Sequence, residues 1–292
     1  MTVESPVADQ QQLIVHSQEI LGEILLEAGV ITSSDVTRIL ETQKKTSKKF
    51  GEVAVQLGLV KQNELQNALS KQVGYPCIIS DQQGFPADLV TAYKPFSDQS
   101  EVFRTIRTQL LLNQNDMEAK PLAILSPSHQ EGRSYITANL AVVLAQLGKR
   151  TLIIDANLRN PRQHSIFQSK MNAGLSKTLL SQDEEFPIHQ SSFLPTLFVV
   201  PAGDIPPNPQ ELVSQPKFKT LLDASVKYFS YVLIDTPAAN EFADAEIIAA
   251  QAGMALLVSS RGKTAINSVV SLSNRLKKGN TDIVGSILNA AV

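Results

Sequence analysis

Cysteine is all but missing: Cys77 is the only one in 292 residues. An intrachain disulfide is therefore impossible, and a thiolate metal cluster is not expected. Long hydrophobic runs are missing too. The longest apolar stretches, such as Met254–Val258, are strand-sized and far short of the ~20 residues that span a bilayer. Neither sign of charge dominates, since 26 basic and 28 acidic residues leave a formal charge of −2. A broad nucleic-acid footprint needs a basic surface, so no nucleic-acid partner is expected. Met1–Gln12 is polar and acidic where a secretory leader would carry a basic start and an apolar centre. A reducing cytoplasm is the expected compartment. What remains, 43% apolar and 18% charged, is an ordinary globular composition in a chain longer than one average domain.

The richest stretch runs from Pro121 to Pro161. Its apolar run Leu122–Leu125 ends at Ser126, and a polar loop follows. Apolar residues then recur at helical spacing from Ser134 onward, at Ile136, Leu140, Val143, Leu144 and Leu147. Gly148 stops that helix, and Thr151–Ile154 forms a buried strand ending on Asp155. Strand, loop, helix, strand is the frame of a phosphate-binding loop, or P-loop. The first N–H groups of a helix lack intrahelical partners and carry the positive end of its dipole, so phosphates fit there. In the usual pattern a lysine reaches the outer phosphates and a hydroxyl reaches Mg2+. Here Gly132 takes the second glycine position, Ser134 supplies the hydroxyl, and Arg133 stands in the lysine's place. Pro127 replaces the first glycine.

A second apolar strand, Tyr231–Ile234, ends on Asp235. Ligands of parallel α/β sheets gather at the carboxyl ends of strands, so Asp155 and Asp235 are expected to converge beside Gly132–Ser134. There one carboxylate can hold Mg2+, directly or through water, and another can orient or deprotonate an attacking hydroxyl. Further strands are expected at Leu197–Pro201, Met254–Ser259 and Ile283–Leu288. Helices fit Glu101–Asn113, Pro209–Gln215, Pro216–Tyr228, Ala243–Ala252 and Lys263–Lys277. This alternation implies an α/β fold with a largely parallel sheet and helices on both faces. Glu101, Arg104 and Arg107 form a slanting stripe on one of those helices.

The N-terminal part contains a repeat. Leu21-Gly22-Glu23 returns as Phe50-Gly51-Glu52, Gly29 as Gly58, Asp35 as Glu64, Leu40 as Leu69 and Gln43 as Gln72, each pair 29 residues apart. Each copy reads as a short helix (Glu23–Ala28, Glu52–Leu57) ended by glycine. A second helix then follows polar caps at Thr32-Ser33-Ser34 or Lys61-Gln62-Asn63. The expected layout is a flexible tail at 1–17, a small all-α tandem-repeat module at 18–74, a linker rich in breakers at 75–99, and a P-loop nucleotide-binding domain at 100–292.

From about Glu101 onward the chain resembles the bacterial tyrosine kinases of exopolysaccharide export, which carry a deviant Walker fold related to the MinD and ParA ATPases. The motifs behind the resemblance are Glu101-x-x-Arg104-x-x-Arg107, Glu131-Gly132-Arg133-Ser134, and Leu152 to Pro161 (LIIDANLRNP). Two more are Pro201 to Leu212 (PAGDIPPNPQEL) and Ile234-Asp235-Thr236-Pro237. With the repeat included, the chain looks most like the Eps-type chain-length-determinant kinase. The repeat itself resembles the N-terminal domain of secretion and pilus-assembly ATPases, some of which bind cyclic di-GMP. Ile20 and Lys49 stand where that family has arginine, so docking is the favoured role and cyclic di-GMP the lesser one.

The resemblance implies ATP and Mg2+ as cofactors, with Glu131, Gly132, Arg133, Ser134 and Tyr135 around the nucleotide. Ser134, Asp155 and Asp235 would hold metal, and Asp155, Asp235 and Arg133 would act in catalysis. Glu101, Arg104 and Arg107 become subunit contacts of a homo-oligomeric ring. A membrane chain-length-determinant protein becomes the partner; its cytoplasmic tail would activate the kinase, which would sit peripherally at the inner membrane through it. Departures weigh against full activity. Arg133 replaces the lysine with a bulkier planar group, Asn157 stands where a second aspartate is usual, and Gln130 occupies a common glycine position. Leu288–Val292 contains no tyrosine, so phosphorylation is expected elsewhere or on another protein. The alternative is a nucleotide-responsive scaffold, or pseudokinase, of the same machinery. A DNA-partitioning ATPase would need a basic stripe that the sequence lacks.

Overall fold

The computed structural model describes residues 20–46, 48–72, 74, 76–78, 86–113, 120–169, 174–181 and 187–290. The tail expected at 1–17 lies outside them. The chain divides into two compact units, one within residues 20–78 plus Lys94–Phe96, the other within residues 86–93 and 97–290.

In the first unit the sequence repeat becomes a structural one. Helix α1 (residues 20–27) and α2 (Ser33–Thr46) correspond to α3 (Phe50–Gln56) and α4 (Gln62–Gln72). The buried positions obey the same 29-residue shift, pairing Leu21 with Phe50, Leu25 with Ala54, Ile31 with Val60 and Ile39 with Ala68. The caps repeat as well. Asp35 accepts from the backbone N–H of Thr32 at 2.9 Å, and Glu64 from that of Lys61 at 2.8 Å, the reciprocal arm of a capping box in each copy. Gly29 and Gly58 both adopt positive φ (66° and 67°), which a side chain would resist. Leu40, one of the repeated positions, is exposed on α2.

The second unit is built on a seven-stranded sheet, among the described residues, in the order β3-β4-β2-β5-β1-β6-β7. Its strands are β1 (Leu122–Leu125), β2 (Thr151–Asp155), β3 (His189–Gln190), β4 (Leu197–Val200), β5 (Tyr231–Asp235), β6 (Met254–Ser260) and β7 (Asp282–Asn289). All pairings are parallel except the short β3 on β4. The central strands are buried on both faces, which explains their uninterrupted apolar runs. Alternate residues divide between the faces. Ala123, Leu125, Leu152, Ile154, Val232 and Ile234 share one core with α10 (Pro209–Ser214), α11 (Pro216–Tyr228), α12 (Asp244–Ala252) and α13 (Ile266–Lys278). On the other face α7 (Arg133–Ala145) lies against β1, β2 and β5, with α6 (Asp98–Asn113) outside it.

Three short helices have no counterpart in the expected elements: α5 (Val90–Tyr93), α8 (Gln163–Ile166) and α9 (Leu175–Leu180). They are too short to show a helical period. Residues 86–93, expected within the linker, pack in this unit. Thr91 is bound three ways to Asn139 of α7, whose amide also donates to the Asp88 carbonyl at 2.8 Å. Helix α7 stops at Ala145, so Leu147 falls beyond it and is exposed.

Candidate nucleotide site

The turn between β1 and α7 is held from several directions. Gly132 is the N-cap of α7 at φ 96°, a conformation that favours glycine. A Cβ there would also run into the side-chain amide of Asn289. That amide, at the end of β7, donates to the Glu131 carbonyl at 3.1 Å. The Glu131 carboxylate folds back, accepting from the Ser128 N–H at 2.8 Å and the Thr264 hydroxyl at 2.5 Å. Lys263 donates to the His129 carbonyl at 2.7 Å. Gln130, lacking glycine's freedom, adopts φ 56°.

Arg133 differs from a lysine in more than size. Its side chain is buried, donating from Nε to the Thr236 carbonyl at 2.9 Å and from one terminal nitrogen to the Ser128 carbonyl at 2.7 Å and the Ser126 hydroxyl. The planar fork thereby ties the loop to the end of β5, a three-point contact an ammonium would not reproduce. Burial lowers its pKa, and the charges of Asp235, Glu131 and Glu241 oppose that shift.

Asp155 and Asp235 face each other in register at the ends of neighbouring parallel strands. Both are fully buried. The Asp155 carboxylate accepts from the backbone N–H groups of Asn157 (3.2 Å), Arg162 (3.0 Å) and Gln163 (2.9 Å). Burial, then the charge of Asp235, still raises its pKa well above the ordinary value. The pKa of Asp235 is raised by burial too. The Gln163 amide, the Ser134 hydroxyl and the guanidiniums of Arg133 and Arg162 pull it back. Gln163 Nε2 donates both to Asp235 Oδ2 at 2.7 Å and to the Ser134 carbonyl at 3.1 Å. The phosphate-loop helix and the two acids are thus joined through one side chain.

Over this floor opens a cleft of ≈ 640 Å³ lined by residues 129–135, Asp88, Asn157, Asn160, Arg162 and Ile166. Its size suits a small-molecule ligand. The acids lie beneath its surface rather than in its wall. Tyr135 lines it half-buried, its ring edge-on to Phe103 at 5.7 Å, and burial raises its pKa. Asn157 is satisfied by Asn160, donating to its carbonyl at 2.7 Å and accepting from its N–H at 3.1 Å. The expected subunit-contact residues lie apart from the cleft, on α6. Arg104 pairs with Glu101 at 2.8 Å, and Arg107 donates to the Val143 carbonyl at 2.8 Å.

Do these residues suit Mg2+? Among the described residues, no cluster of three or more His, Cys, Asp or Glu could hold a metal alone. Mg2+ does not require one, being bound by one or two carboxylates, waters and substrate phosphates. Asp235 Oδ1 is buried without a hydrogen-bond partner, beside a second acid and a hydroxyl. The set fits.

Sequence reasoning missed Gln163, Thr264 and Asn289. Asn289 ends a strand at the carboxyl edge, a position that could have drawn notice. Gln163 carries no charge and belongs to no recognisable motif.

No protein-family model matches the chain. It is 35% identical over 196 residues to the putative tyrosine-protein kinase CapB of Staphylococcus aureus, covering 67% of this chain and 86% of that protein. It is 36% identical over 202 residues to the tyrosine-protein kinase YwqD of Bacillus subtilis, covering 69% and 85%. Among solved structures, the kinase domain of Escherichia coli tyrosine kinase ETK superposes with a TM-score of 0.66 at 29% identity, over 70% of this chain and 80% of that one. The cell-division ATPase MinD of Pyrococcus furiosus, at 22% identity and TM-score 0.51 over 58% and 72%, shares the fold.

Proposed function

Because the chain belongs to the bacterial tyrosine-protein kinases, we propose that it transfers the γ-phosphoryl group of Mg·ATP to protein tyrosines in the control of exopolysaccharide chain length and export. The observation that carries this reading is the in-register pair Asp155 and Asp235, tied through Gln163 to Ser134 at the start of α7. The free N–H groups around Gly132 receive the β- and γ-phosphates. Ser134 Oγ, Asp155 and Asp235 would hold Mg2+, which when bound would offset phosphate charge and align the transferred group. As the tyrosine oxygen bonds to phosphorus, the bond from phosphorus to the ADP oxygen breaks, and the phenolic proton passes to a carboxylate. Asp155 and Asp235 are the two carboxylates at the strand ends that could take it. Arg133 serves by keeping the turn in shape and adding positive charge beneath it.

Around this centre we place a homo-oligomeric ring with contacts through Glu101, Arg104 and Arg107. The exposed Val102 and Leu112 on the same helix favour a contact there. The N-terminal unit docks onto the export machinery, and the cytoplasmic tail of a membrane chain-length regulator brings the kinase to the inner membrane. No helix among the described residues is long and apolar enough to cross a membrane.

The second reading, a nucleotide-responsive scaffold, is favoured by the inward Arg133 and by Asn157 standing in an acid's place. Labelled ATP, with and without the partner's cytoplasmic tail, separates the two. Transfer to tyrosine in either condition supports the kinase. ATP binding without transfer in both rejects it.

A further inference from the structure

Gln163 is fully buried and hydrogen-bonded to Asp155, Asp235 and Ser134. Its N–H holds Asp155 Oδ2 at 2.9 Å, and its Nε2 holds Asp235 Oδ2 at 2.7 Å and the Ser134 carbonyl at 3.1 Å. With both protons of the Nε2 amide committed, its Oε1 must point elsewhere, and that atom is buried without a hydrogen-bond partner. Asp235 Oδ1 is left in the same condition. A buried acceptor with no donor is costly and uncommon. Two such oxygens, on side chains hydrogen-bonded to each other and beside the second acid Asp155, gather lone pairs that no hydrogen-bond donor meets. A structural glutamine in an apolar core would have both ends satisfied; this one has only its donor end satisfied.

We propose that Gln163 is the positioning residue of the metal site. Its amide fixes the Asp235 carboxylate with Oδ1 presented to the cation, and its Oε1 accepts from water on that cation. The inference rests on the Mg·nucleotide reading above and names a group which that reading does not require. Outer partners of this kind alter metal affinity by about 10- to 100-fold when removed. They leave metal-free ligand binding largely untouched.

The test is calorimetric titration of ADP into the full chain, in EDTA and across a Mg2+ series, for the wild type, Gln163→Leu and Gln163→Glu. Circular-dichroism melts accompany each titration. The wild type should bind ADP more tightly as Mg2+ is added. Gln163→Leu, which removes both polar ends, should need on the order of tenfold more Mg2+ for half its effect while keeping the wild-type affinity in EDTA. Gln163→Glu, which keeps an acceptor and adds a charge, should need less Mg2+ than Gln163→Leu. Equal Mg2+ requirements in all three proteins would overturn the role of Gln163. So would a parallel loss of affinity with and without metal, or failure of both variants to fold, since either marks a packing residue. A wild type indifferent to Mg2+ would instead overturn the nucleotide-site reading beneath it.

Discussion

Replacing Asp235 by asparagine should make the metal-free protein more stable and its nucleotide site inert. The carboxylate sits one strand away from Asp155, in register and out of contact with solvent. Neighbouring strands are ~4.8 Å apart, so two full charges held about 5 Å apart would repel by about 3 kcal/mol at an effective dielectric near 20. The pair avoids part of that cost by retaining a proton, as the raised pKa of both groups indicates. Asparagine can keep the bond from Gln163 Nε2 on its oxygen and turn its amide into the place of the unpartnered Oδ1. The relief is then at most about 3 kcal/mol, an upper limit on the rise in melting temperature of roughly 6–12 °C. Its pH dependence follows from the direction of the shifts. Groups whose folded pKa is raised hold protons more tightly when folded, so their contribution is complete below about pH 4. It is lost as the pH climbs from there through the raised values. Differential scanning calorimetry in EDTA should therefore show the wild type weakening across that range. The gain from Asp235→Asn should be larger at pH 8 than at pH 5. A variant that melts at or below the wild type at pH 8, or gains equally at both pH values, would refute the reasoning.

Arg133→Ala should lower stability by about 3 kcal/mol, since it leaves the Ser126 hydroxyl and the Ser128 and Thr236 carbonyls without their shared donor. It should also weaken ADP binding, both effects being read from melts and titrations. Gly132→Ala must crowd Asn289 and strain a positive φ, so a loss of about 1–3 kcal/mol is expected, together with loss of nucleotide binding by calorimetry. Asn157→Asp removes the amide donated to the Asn160 carbonyl and should cost about 1 kcal/mol in urea unfolding. If Asn157 limits catalysis, the same variant should raise phosphoryl transfer from labelled ATP.

The sheet was legible because its central strands are buried on both faces and read as continuous apolar runs, with β1, β2 and β5 falling where those runs stop at Ser126, Asp155 and Asp235. The convergence of the two acids followed from one rule about the carboxyl ends of parallel strands. The supports of the site did not follow. Glu131 is tied to Thr264 and Asn289 across 133 and 158 residues, and no local period records such contacts. The inward turn of Arg133 was hidden for a related reason. Sequence position marks a residue as belonging to the loop, whereas its three acceptors are available only once β5 and the loop have come together. Residues 88–93 read as linker because prolines and glycine surround them, yet Asn139 gives them a buried dock on α7.

The most direct test is a crystal structure of the full chain with Mg2+ and ADP. The expected result is the β-phosphate on the N–H groups of the Gly132 turn, with Mg2+ bound by Ser134 Oγ and reached, directly or through water, by Asp155 and Asp235. Nucleotide seated elsewhere, or a cation out of reach of both acids, would contradict it.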